Sequence, residues 1–212
     1  WYVRNVGLSY SQAIVPGRDI CRAHLLGMSR VLGNPTSLLY RSDLVRATND
    51  FFPNSTYEAD ISACLKYLRY ADFGFVHQIL SHERIHHHRA TTVSLEINAY
   101  VAAEIGDRQA YGDWYLTKRE CEERLGELLD QYYAYLSASA FKFKDRKFWA
   151  YHAERLRDLG YQFDGWKLSR GIAAKALDLS LNPKETVQML NRRVRLYYLL
   201  KGGRTPPRGR YC

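Results

Sequence analysis

The residues best suited to chemistry lie in one stretch, Tyr57 to Thr92. Glu58 and Asp60 stand at the start of a short helical pattern, and a strand-like run from Phe75 to Leu80 empties into His82-Glu83-Arg84-Ile85-His86-His87-His88-Arg89. A carboxylate held at a helix start beside a cleft can take a proton from a hydroxyl nucleophile. Acids in a first helical turn are also favoured simply by the helix dipole, and on spacing alone this second reading of Asp60 has the advantage. Glu58 has a structural role ready, because Ser55-Thr56-Tyr57-Glu58 has the spacing of a capping box, in which each side chain satisfies the other residue's free amide. Asp60 has none, since that box is complete without it.

The histidine run admits a sharper comparison. His82-Glu83-Arg84-Ile85-His86 matches HExxH, the pair of helical zinc ligands with a glutamate base found in metalloproteases. That motif needs a buried helix. Here the preceding residues alternate like a strand, Arg84 sits inside the motif, and no downstream ligand follows at a family-like spacing. The protease reading is the weakest of the alternatives, and a solvated strand end rich in histidine is the blandest. No P-loop, GxGxxG or GxSxG occurs.

The elements that must position these residues follow from periodicity. Trp1 to Pro16 reads as loop with a short strand. Ile20, Ala23, Leu26, Met28 and Val31 predict a helix from Arg18 to Leu32, with Gly27 a blemish and Gly33 the stop, and Gly33-Asn34-Pro35 a turn. Thr36 to Arg41 reads as a short buried strand, and Ser42 as the cap of a helix through Arg46. Ile61, Cys64, Leu65 and Leu68 form the buried stripe of a helix ending near Ala71. Beyond Thr92 the pattern is helical: one helix marked by Leu95, Ala99 and Ala102, and a longer one by Leu125, Leu128, Leu129, Tyr132 and Leu136. A third carries Phe148, Tyr151, Leu156 and Leu159 with its stop at Gly160, and a fourth runs from Trp166 to Leu179. The last helix opens with Asn182 as cap and Pro183 in its first position, and shows Val187, Leu190, Val194 and Tyr197 on one face before Gly202.

Composition bounds the rest. With 212 residues, 46% of them hydrophobic, the chain can bury a substantial core. Its 17 tyrosines fall mostly at helical spacing, which suits packing better than base stacking. The start at Trp1, with no leader pattern behind it, reads as a piece of a longer chain. No apolar run approaches the ~20 residues that span a bilayer. Cys21, Cys64, Cys121 and Cys212 are far apart and form no CxxC pair, as expected of reduced cytosolic thiols. Of the net charge of +9, seven units come from the cations after Glu185, the last acid in the sequence. Such a tail suits an anionic membrane or nucleic acid, and a helical binding module using it is the alternative function from another class.

Several pieces in order carry a family resemblance. Gly33-Asn34-Pro35-Thr36-Ser37-Leu38-Leu39-Tyr40-Arg41, then Phe51-Phe52-Pro53-Asn54, Glu58-Ala59-Asp60, Phe73-Gly74-Phe75-Val76-His77-Gln78-Ile79-Leu80 and Arg84-Ile85-His86 resemble the C-terminal half of a bacterial family-two glycosyltransferase of GT-A fold, over roughly residues 25 to 95. The resemblance implies an α/β fold: the truncated C-terminal portion of a Rossmann-like GT-A domain with few short strands (1–94), followed by a mostly α-helical extension (95–201) and a basic flexible tail (202–212). It implies an inverting transfer from a nucleotide-sugar donor to a carbohydrate or lipid-linked acceptor hydroxyl, in polysaccharide and cell-envelope synthesis. Asp60 is then the general base, with Glu58 beside it in place of the more usual adjacent Glu-Asp. Gly33, Pro35 and Thr36 line the acceptor side, Arg84 neutralises the departing diphosphate, and His86 approaches a divalent metal, Mg or Mn. The donor-binding half with its DxD motif is missing, so the chain alone is expected to be inactive. The expected setting is the cytoplasm, peripheral at the inner face of the membrane, with no nucleic-acid partner.

Overall fold

The computed structural model describes residues 7–32, 35–52, 59–80, 97, 99–142 and 144–182. The chain is mostly helical. Strand β1 (Ile14–Val15) leads into helix α1 (Gly17–Leu25), and a 3-10 turn (Pro35–Ser37) precedes the short α2 (Ser42–Arg46). Helix α3 (Ala59–Tyr67) is followed by β2 (Phe73–Gly74), then by α4 (Ala99–Tyr115), α5 (Lys118–Ala140), α6 (Arg146–Asp158) and α7 (Gly165–Leu181). The chain divides into two compact units, one of residues up to 135 with 144–163, the other of 136–143 with the residues from 164 onward.

In the first unit α4 packs against both α1 and α3. Ile20, Cys21 and Leu25 of α1, Ile61, Cys64 and Leu65 of α3, and Tyr115 and Leu116 at the end of α4 form one apolar core. A smaller cluster of Phe51, Ala63 and Tyr67 lies beside it, with the Phe51 and Tyr67 rings stacked at 4.6 Å. At the far end of this unit His152 of α6 is fully buried among the rings of Tyr132, Tyr135, Phe148 and Tyr151, and its Nδ1 shares a 2.6 Å hydrogen bond with the Tyr132 hydroxyl. Burial, and after it the charge of Lys144, pushes the His152 pKa down to about 4. In the second unit Gly171 of α7 passes close to the Ser137 side chain, and the Ser137 hydroxyl donates to the carbonyl of Leu168 (3.5 Å).

Helix ends follow local chemistry. Thr117 and Glu120 form a capping box that opens α5, with the Thr117 amide donating to Glu120 Oε2 (2.9 Å) and the Glu120 amide to Thr117 Oγ1 (3.3 Å). The carboxylates of Asp145 and Asp164 each accept a backbone amide at the starts of α6 and α7. Gly27 (φ 76°) and Gly160 (φ 81°) end α1 and α6 in the left-handed region that glycine enters without strain.

Four expectations need correcting. The helix predicted from Arg18 to Leu32 stops at Leu25, because Gly27 is its terminator: the Met28 amide reaches back to the Ala23 carbonyl (2.8 Å) and the Gly27 amide to that of His24 (2.9 Å). Thr36 to Arg41 is not a strand but a 3-10 turn and irregular chain. Ser42 is the first residue of α2 rather than its cap, which falls at Arg41 and makes no side-chain capping hydrogen bond. The strand expected over Phe75–Leu80 shrinks to Phe73–Gly74, paired antiparallel with Val15 and Ile14. Its partner strand gives out: after the Phe75 amide bonds the Ala13 carbonyl, the chain at Ser9–Gln12 closes into a turn and offers no further ladder.

Among the described residues this two-stranded antiparallel pair is the only sheet, so no Rossmann-like parallel layer is seen there. The boundary expected after residue 94, the Ser55–Glu58 capping box, the histidine run, the last helix and the tail lie outside the described residues. No described helix is long and apolar enough to cross a membrane.

Candidate functional site

The chemistry-bearing part of the described structure is the first turn of α3 and the face of α4 against it. α3 is pinned by its buried side, since Ile61 through Leu65 are all inaccessible. That leaves Asp60, in the first turn, half-buried. Burial raises its carboxyl pKa above the ordinary value, opposed by the backbone amides of Ile61 and Asp60 itself. Its carbonyl accepts from the Tyr40 hydroxyl (3.4 Å), which also touches Cys64 Sγ (3.3 Å). Tyr40 thereby ties the segment after the 3-10 turn to the start of α3.

A second carboxyl is buried where α4 meets α3. Asp107 of α4 is only 4% exposed, and Ser62 Oγ donates to its Oδ1 at 2.6 Å. Burial is the largest influence and lifts its pKa to about 6. Ser62 and Arg108 pull it down, while the charges of Glu104 and Asp60 push it further up.

Next to Asp107, Arg108 is 2% exposed and gives its guanidinium to backbone carbonyls: Nε to Leu25 (2.8 Å), Nη1 to Glu104 (2.7 Å) and Nη2 to His24 (3.5 Å). It also pairs with the Glu104 carboxylate at 3.4 Å, which Arg124 of α5 approaches to 3.9 Å. The His24 pKa falls to about 4, through burial first and then the nearby charges of Arg108 and Arg30.

The sequence-derived residues are distributed unevenly. Asp60 is part of this arrangement. Pro35 and Thr36 are exposed in the 3-10 turn, connected to it through Tyr40. Gly33, Glu58, Arg84 and His86 lie outside the described residues, as does the HExxH run. Ser62, Asp107 and Arg108 were not anticipated, although a signal exists. Ala99, Ala103 and Asp107 recur every four residues in a helical pattern, which puts the acid on the same stripe as the buried alanines.

What this geometry offers is a half-buried acid in the first turn of α3 and a buried acid held by Ser62 where α4 meets α3. No group of three His, Cys, Asp or Glu side chains converges among the described residues, so that part of the chain does not by itself fit a divalent cation. No protein-family model, curated protein or solved structure matches the chain.

The buried acid has a measurable signature. Its folded pKa of about 6 lies above the ordinary carboxyl value, so the folded state holds this proton more tightly than the unfolded chain does. The associated stability is complete below the unfolded pKa of ~3.9 and is lost as pH rises through the folded value, about 2 to 3 kcal/mol in all. Asp107→Asn, whose amide oxygen still accepts from Ser62, is expected to remove that slope. Urea unfolding at pH 4 and pH 7 should show the variant gaining on the parent at pH 7, and equal pH dependence for the two would refute the assignment.

Proposed function

We propose that the chain carries the acceptor side of an inverting glycosyltransferase, with Asp60 as the general base. The observation that carries this reading is Asp60 itself: a half-buried carboxyl at a helix start, with raised proton affinity, at the position that the motif order of residues 25–95 assigns to the base. A carboxylate so placed removes the acceptor hydroxyl's proton as the oxygen attacks the anomeric carbon, and the nucleoside diphosphate leaves with the bonding electron pair. Tyr40 holds the turn of α3 that bears the base. Pro35 and Thr36, with Gly33, would face the acceptor, and Arg84 the diphosphate.

In this reading a separate donor module completes the enzyme, which works in the cytoplasm at the inner face of the membrane. Mg or Mn, where the family uses it, supplies charge neutralisation to the leaving group. The described residues do not form its site, and no step is derived through it.

The test is made on the enzyme with its donor module. Asp60→Asn should lower kcat by at least about 100-fold, the size of a general-base contribution, while donor affinity stays within twofold. Normal transfer by that variant would overturn the assignment. The 212-residue chain alone should bind no UDP-sugar in a calorimetric titration, and tight binding would contradict the division of labour.

A further inference from the structure

Helix α7 is apolar on two opposite sides, and the fold of its unit covers only one of them. Leu168, Gly171, Ile172 and Leu179 share one side by helical spacing and are all half-buried. On that side Gly171 passes close to Ser137, whose hydroxyl bonds the Leu168 carbonyl. On the other side Trp166, Ala173, Leu177 and Leu181 line up in one stripe, ~22 Å long at the rise of an α-helix. Trp166 is 73% exposed, Leu177 61% and Leu181 75%. Large apolar side chains gathered on one exposed stripe mark a contact surface, where the same residues scattered singly would not.

Charge selects what covers it. Arg170 lies within the stripe by spacing, and α7 places no acid on it: Asp178 falls to the side and is tied to Lys175 at 2.6 Å. The helix carries three cations, Lys167, Arg170 and Lys175, against that one acid, and the sequence after Glu185 adds seven cations and no acid. A second copy of the chain would bring positive charge against positive charge. Its contact would also rest on three large side chains, a patch well short of the ~800 Å² that each partner of a stable interface buries. A nucleic acid would use the cations and leave the two leucines in water. An anionic lipid surface takes both features at once, the apolar side chains among the acyl chains and the cations at the level of the phosphates. Tryptophan is the side chain best suited to the boundary between them.

We propose that α7 is a membrane-contact helix that lies in the plane of an anionic lipid surface, with Trp166, Leu177 and Leu181 inserted and Arg170 paired with head-group phosphates. The helix rests on the bilayer and does not cross it, in keeping with its length and polarity. The contact is a property of α7 and is independent of Asp60, so it holds whether or not the chain is part of a transferase.

Co-sedimentation of the 212-residue chain with lipid vesicles tests this. Partition into vesicles of equimolar phosphatidylcholine and phosphatidylglycerol should exceed that into phosphatidylcholine alone by at least about tenfold. Leu177→Gln together with Leu181→Gln should weaken binding to the anionic vesicles by at least about tenfold while leaving the circular dichroism unchanged, since both side chains are exposed in the free protein. Lipids brominated along the acyl chain should quench the parent's tryptophan fluorescence, and Trp166→Phe should lose most of that quenching although Trp1, Trp114 and Trp149 remain. Asp60→Asn should bind vesicles as the parent does, which keeps the fate of this contact separate from that of the transferase reading. A parent that ignores anionic vesicles overturns the proposal. So does vesicle binding that survives the paired leucine substitution, which would leave the membrane to the basic tail alone. A parent dimer in sedimentation velocity that the paired substitution dissolves, with no vesicle binding, would assign the stripe to a second copy instead, and loss of duplex-DNA binding in that variant would assign it to nucleic acid.

Discussion

Replacing Arg108 with methionine is expected to destabilise the first unit by about 4 kcal/mol, because it removes one partner from a buried ionic arrangement and leaves the others without compensation. The carbonyls at the end of α1 account for the size. Arg22's is taken by the Leu26 amide, Ala23's by Met28 and His24's by Gly27, while Leu25's receives Arg108 Nε. Without the guanidinium, the Leu25 carbonyl and the Glu104 carboxylate lose a partner together, in a setting where an unmet acceptor is costly. Arg108→Lys should rescue little, since an ammonium cannot reproduce the planar fork that reaches three carbonyls. Urea denaturation followed by far-ultraviolet circular dichroism measures the difference, and a loss under 1 kcal/mol would mean that the carbonyls find other donors.

The second large effect is expected at Gly17. A glycine in the first turn of a helix is ordinarily improved by alanine, which costs less entropy to order. At Gly17 the opposite holds: a Cβ would overlap the carbonyl oxygens of Leu68 and Ala71, in and after the turn that ends α3. These are backbone atoms and cannot step aside as a flexible side chain could. Gly17→Ala should therefore cost about 3 kcal/mol, at the upper end of overpacking penalties. Gly126, exposed within α5 with nothing inside 4 Å of its built Cβ, is the control. There alanine should add up to about 1 kcal/mol. Thermal unfolding of the two variants should move in opposite directions, and a neutral Gly17→Ala would show that α1 can lift away from α3 freely.

Much of this architecture can be read from residue types, and the exceptions have physical causes. The stripe of Ile61, Cys64 and Leu65 marks α3, and the apolar spacing from Leu125 to Leu136 marks α5, because an amphipathic face repeats whatever it packs against. Gly160 reads correctly as a stop. Gly27 does not, because Met28 and Val31 continue the apolar phase beyond it, and Met28 proves to be 78% exposed. The alternation from Phe75 to Leu80 misleads for a different reason: a strand needs a partner, and Ser9–Gln12 turns away before supplying one. Asp60 is prominent in the sequence through its place at a helix start. Asp107 is not, since its meaning depends on Ser62, 45 residues earlier, and only the packing of α4 on α3 brings the two together.

The core between α1 and α3 has one more consequence, for measurement. Cys21 and Cys64 are both buried there, and burial lifts their pKa values to about 12 and about 11, so neither forms appreciable thiolate at neutral pH while the core is closed. With Cys121 and Cys212 changed to serine, alkylation of the remaining thiols can proceed only during openings of the helix pair. The labelling rate then times how often α1 parts from α3, and the chain carries its own chemical clock for the breathing of the scaffold that holds Asp60.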